Sequence, residues 1–97
     1  MTTSPLAPSL LALLLAIVGT GAHAACFADY KASRPEPFAL HYGVAEVFGP
    51  CDAGSARGEL SGRLAGDGWQ LLEVMATFGE SGLEERRESA GEFFLIY

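Results

Sequence analysis

From Phe38 to Phe48 the chain reads "FALHYGVAEVF", with apolar and polar or small residues in alternation. This period of two predicts a strand. One face carries Phe38, Leu40, Tyr42, Val44, Glu46 and Phe48, and the other Ala39, His41, Gly43, Ala45 and Val47. The second face is mostly small, which suits close cover by a helix. Gly49 and Pro50 end the run. Between 53 and 65, "AGSARGELSGRLA" places Ala53, Ala56, Leu60 and Leu64 on one stripe of a 3.6-residue wheel. Asp52 or Ser55 is the expected N-cap. Gly54, Gly58 and Gly62 oppose a helix by propensity, but they fall away from the leucine stripe, and burial of such a stripe decides short tertiary helices. Gly66 and Gly68 then turn the chain into "WQLLEVMATF", residues 69–78, which predicts a second strand. Its alternating faces are Trp69, Leu71, Glu73, Met75, Thr77 and Gln70, Leu72, Val74, Ala76, Phe78, the latter expected to face the core. The polar stretch 79–91 has Leu83 as its large apolar residue, and Glu84 to Glu88 suggest a short helical turn. "EFFLIY", residues 92–97, predicts a third strand.

The expected fold class is therefore α/β (α+β): a small three-stranded sheet with one covering helix, in the order β-α-β-β. Residues 38–97 form the domain. Residues 25–37, with Pro35 and Pro37, read as an N-terminal arm held by Cys26, with Phe27 and Tyr30 tucked against the core. One helix covers one sheet face, so the face with Phe38, Leu40 and Tyr42, aligned with Trp69, Leu71 and Met75, awaits cover from the arm or a second subunit.

Residues 1–24 have the layout of a signal peptide: an apolar core "LLALLLAIV" too short to span a bilayer comfortably, then Ala22 and Ala24 at the −3 and −1 positions of a cleavage site. No Lys or Arg precedes that core. The expected location is the periplasm or the medium, with no stable membrane insertion after cleavage. Processing before Cys26, giving a lipid-anchored cysteine, is the alternative. Cleavage leaves 73 of 97 residues and the full net charge of −6. A core of that size benefits from a staple. Cys26 and Cys51 are the two cysteines, and in an exported chain they read as a disulfide. Acidic composition without a basic stripe argues against nucleic acid.

"LAGDGWQLLEV", followed by a polar loop and an aromatic final segment, resembles the small bacterial domains of unknown function built around a "GxxGWELV" core. The resemblance covers residues 38–97. It implies the strand–helix–strand–strand order, with Leu64 as the helix anchor, Gly68 and Trp69 as the corner, and Leu71 and Leu72 opening the next strand. Gln70 stands where glutamate is usual, and the basic residue that tends to end the family's last strand is missing from "FLIY". The start "CFADYKA" is similar to that of short uncharacterised exported proteins, which supports export. Neither resemblance brings an activity.

Candidate chemistry is sparse. His41 lies mid-strand on the small-residue face and reads as structural. Glu46 and Glu73 would form a carboxylate pair if their strands were adjacent, or else rim an apolar patch. No spacing matches a metal site, a phosphate cradle or an activated nucleophile. No catalytic residue, cofactor or metal is therefore expected. Trp69 either fills the junction of helix and sheet or joins a partly exposed aromatic surface with Phe38, Tyr42, Met75 and Tyr97. The expected role is a non-enzymatic structural or protein-interaction module of the cell envelope, partnered by a second copy or another envelope protein. The alternatives are a binder of a small apolar ligand or peptide, and a carboxylate enzyme.

Overall fold

The computed structural model describes residues 24–97. The expected leader lies outside the described residues, apart from Ala24. A three-stranded sheet packs against helices. β1 (Cys26–Pro35) and β2 (Phe38–Val47) form an antiparallel hairpin from Cys26↔Val47 to Pro35↔Phe38. α1 (Ala53–Ala65) then crosses to β3 (Gln70–Phe78), which pairs antiparallel with the other edge of β1. The strand order is β2-β1-β3. A 3₁₀ turn (Glu80–Gly82), α2 (Glu84–Ala90) and a second 3₁₀ turn (Gly91–Phe93) complete the elements of the described residues.

The sheet and its covering helix match the sequence pattern, but the third strand is a different segment. The stretch expected as an arm is β1, the centre of the sheet. Its helix-side residues are Cys26, Ala28, Tyr30 and Ala32, all buried. The small alanines let α1 approach closely. Pro35 and Pro37 do not break this strand, because they sit at its end and in the turn, where a lost N–H costs nothing. The order is thus β-β-α-β, followed by α2.

The expected final strand is corrected as well. Gly91, at φ +54°, turns the chain out of α2. Phe94 makes one isolated parallel bridge to Val44, and the Leu95 N–H donates to the Val44 carbonyl at 2.7 Å. Gly91–Tyr97 is therefore a strap around the β2 edge. Phe93 packs in the helix-side cluster and Phe94 in the cluster on the opposite face.

α1 forms where the leucine stripe places it. Asp52 is the N-cap, its Oδ1 accepting from the Ser55 N–H at 2.8 Å. Ala56, Leu60 and Leu64 are fully buried, whereas Gly58 and Gly62 face solvent. Burying each leucine stabilises the fold by about 1.5–3 kcal/mol, which outweighs the glycine penalties. Glu59 ties the helix to the end of β2, accepting from the Phe48 and Gly49 N–H groups and from Arg63. Those backbone donors, Phe48 first, hold its carboxyl below the usual value. Gly68, at φ +80°, supplies the left-handed residue before β3.

The expected disulfide is present. Cys26 and Cys51 are bonded, with Cα atoms 5.8 Å apart, and link the start of β1 to the loop before α1.

Candidate interaction surface

The two sheet faces spend their polar groups differently. On the helix side, Tyr30 is fully buried and its ring lies directly over Gly43. A Cβ at Gly43 would collide with the Tyr30 phenol oxygen and Cζ, so this position requires glycine. The Tyr30 hydroxyl lies 2.9 Å from His41 Nε2. Burial pushes the Tyr30 phenol well up. His41, 8% exposed, stacks on Phe93 with centroids 3.7 Å apart and meets the Trp69 ring edge-on at 4.3 Å. Burial lowers the His41 pKa, helped by the nearby Arg34 charge and opposed by Glu92. The neutral imidazole thus serves as a packing unit.

Trp69 is 6% exposed and belongs to this cluster, with the Arg34 guanidinium 4.4 Å from its ring centroid. Tyr97 packs beside it. The Tyr97 hydroxyl donates to Asp67 Oδ2 at 2.7 Å, and Arg63 donates to the Tyr97 carbonyl at 2.7 Å. Trp69 therefore fills the junction of helix and sheet.

The opposite face has two halves. At the Phe27 end, α2 and the strap close over Phe27 and Val44. Asp29, 6% exposed, anchors that cover: it accepts from the Tyr42 hydroxyl and from Arg86 Nε, each at 2.9 Å. The Arg86 guanidinium stacks over Phe78 at 3.9 Å, and its charge is firmed by the Asp29 hydrogen bond. Burial, then the bond to Asp29, pushes the Tyr42 phenol up to about 12. Sequence reasoning missed this network, because Asp29 lay in the supposed arm and Arg86 in the polar loop. Its signal was an aspartate alternating with Phe27 and Lys31 along an otherwise small-residue strand.

At the hairpin end the same face is uncovered. Phe38 is 71% exposed, Leu40 62% and Leu72 51%. A shallow groove of about 350 Å³ runs here, lined by Leu40, Tyr42, Leu72 and Lys31 and by parts of Ala32 and His41. Met75, further along β3, is also exposed.

The five residues expected to share one aromatic surface are thus divided. Phe38 and Tyr42 lie on the open side, Tyr42 half-buried; Trp69 and Tyr97 belong to the helix-side cluster, and Met75 is exposed at a register shift of β3 between Val74 and Ala76. Leu71 also packs on the helix side, and Leu72 takes its place on the open face. The cause is the register of β3. It shifts between Asp29/Tyr30 and again between Lys31/Ala32, so strict alternation fails along this strand. Val74 is the buried centre of β3, as the pattern predicted. Glu46 and Glu73 share a face without forming a pair, because β1 lies between their strands and their registers differ: Glu46 opposes Phe27, and Glu73 opposes Lys31.

Among the described residues no group of three or more His, Cys, Asp or Glu is placed to hold a metal, and no helix is long and apolar enough to cross a membrane. Comparison with protein-family models, curated proteins and solved structures finds no match for the chain.

Proposed function

We propose that the chain is an exported, non-enzymatic interaction module of the cell envelope whose contact surface is the open half of the sheet. The observation that carries this reading is the cluster of Phe38, Leu40 and Leu72, all more than half exposed on one shallow face. Large apolar side chains gathered on a face that nothing in the fold covers mark contact sites. The centre of the helix side contrasts with it: Tyr30, Leu60, Leu64 and Trp69 are buried there, and the exposed Phe48 and Ile96 lie at its rim beside Arg63 and Tyr97.

Export is supported by the leader pattern and by the disulfide, since such bonds persist in oxidising compartments. The bond occupies the Cys26 sulfur that a lipid thioether would need, which favours the unanchored form. The non-enzymatic part is supported by how the polar groups are used. His41 is packed among aromatic rings, and Asp29 holds α2 in place. A small apolar ligand or peptide in the Leu40–Leu72 groove is the second reading, favoured by the groove itself.

The test uses a photoreactive residue at position 72, with position 61 on the exposed side of α1 as control, in the cell that makes the chain. A specific adduct at 72 and none at 61 is the expected result. Intact mass without reductant should show loss of the first 24 residues and of two hydrogens. No adduct at 72 contradicts the contact surface, and an uncut mass contradicts export.

A further inference from the structure

The open face carries a self-complementary charge pattern. Lys31, the chain's only lysine, and Glu73 are cross-strand neighbours that project from this face. Neither takes part in an ion pair among the described residues. The open half is thus locally neutral in a chain of net charge −6. For two copies of so acidic a chain, repulsion opposes contact over most of the surface and is absent here. A two-fold contact repeats every pairing twice, so a patch holding one free cation beside one free anion suits its own copy.

The edges are less suited. β3 has a free outer edge, but its two register shifts distort the row of backbone groups that an added strand would need, a device that blunts edges. The outer edge of β2 is partly occupied by the strap at Val44. The shallow groove leaves a small ligand largely exposed, whereas pockets for such ligands enclose most of their surface. A flat apolar face is met best by another flat apolar face.

We propose that the open half of the sheet is the interface of a homodimer, in which Leu40 and Leu72 of the two copies pack together and Lys31 of each lies beside Glu73 of the other. The inference rests on the interaction-module reading and names its partner.

The deciding experiment is sedimentation of the disulfide-intact chain over a range of concentrations, with the variants Lys31→Glu, Glu73→Lys and Leu72→Glu. The unaltered chain shifts from one to two chain masses as concentration rises. Each single charge variant sets like charges across the interface and weakens self-association by about tenfold or more. Mixing equal amounts of Lys31→Glu and Glu73→Lys restores dimers, because every cross-pair is again opposite in sign. Leu72→Glu remains monomeric. Each variant's thermal melt should match that of the unaltered chain at a concentration where all are monomeric, since the altered side chains are exposed. A chain that is monomeric throughout, or charge variants that fail to associate on mixing, overturns the proposal. If position 72 then crosslinks to a different protein in the cell, the second copy is wrong and the interaction module stands; if it crosslinks to nothing, both fall.

Discussion

Replacing Gly43 with alanine probes the part of the fold that departs furthest from its sequence pattern. Gly43 is paired with Tyr30 in the β1–β2 register, and the Tyr30 ring occupies the space a Cβ would need. Tyr30 is fully buried and bonded to His41, so it has nowhere to move without losing that hydrogen bond. Overpacking of this kind costs about 1–3 kcal/mol. Losing the bond adds about 1 kcal/mol. The expected loss is therefore about 2–4 kcal/mol, a large share of the few kcal/mol that hold so small a domain together. Gly58 in α1 is the control: a Cβ there meets nothing within 4 Å. Gly58→Ala should stabilise the chain by up to about 1 kcal/mol. Urea unfolding, followed by tryptophan fluorescence, measures both. Tyr30→Phe removes the nearest clashing atom, so Gly43→Ala should cost less in that background, with a coupling of about 0.5 kcal/mol or more. If Gly43→Ala proves as harmless as Gly58→Ala, residues 26–35 are not the central strand and the packing described here is wrong.

Three further outcomes follow from the same contacts. Changing Cys26 and Cys51 together to serine should cost about 3.5 kcal/mol by the entropy of the loop they close, read as a lower urea midpoint; an unchanged midpoint refutes the staple. His41 stays neutral in the fold because its pKa is lowered, whereas in the unfolded chain it takes up a proton below about 6.5. Stability should therefore fall as pH drops from about 6.5 through the lowered native value, and His41→Phe should flatten that part of the melting-temperature profile. Arg86→Met leaves the Asp29 carboxylate buried with Tyr42 as its remaining partner, so it should cost about 1–3 kcal/mol, with faster amide exchange in α2; unchanged exchange there would mean that Arg86 does not hold the helix.

Much of the architecture was legible. The stripe of Ala56, Leu60 and Leu64 overrode the glycines, and β2 alternates as written, with His41, Gly43 and Ala45 toward the helix. β1 was hidden because its core side is small and its other side carries Asp29, Lys31 and Ser33, which leaves little hydrophobic contrast to read. The prolines, which oppose a helix, suit an arm as well as the end of a strand, and here they end one. β3 was read as a strand with incorrect faces, because two register shifts break a period of two and leave no mark in composition. "EFFLIY" looked like a strand because alternating aromatics serve a strap straddling a sheet edge equally well: Phe93 goes to one face and Phe94 to the other. Phe38 and Tyr42 were placed on the open face by the alternation of β2. Lys31 and Leu72 became visible as part of it once β1 and the shifted register were known.

Met75, exposed on β3 two residues beyond Glu73, reports most directly on whether a partner covers this part of the sheet. It is exposed in the isolated fold, and Met1, the chain's other methionine, falls within the expected leader. Brief oxidation, read as sulfoxide by mass, can be applied to the dilute purified chain and to the chain in its native cell. Protection in the cell, lost on dilution, is the expected result. Equal oxidation in both settings would mean that no partner covers β3 next to Leu72 and Glu73, against the proposed contact.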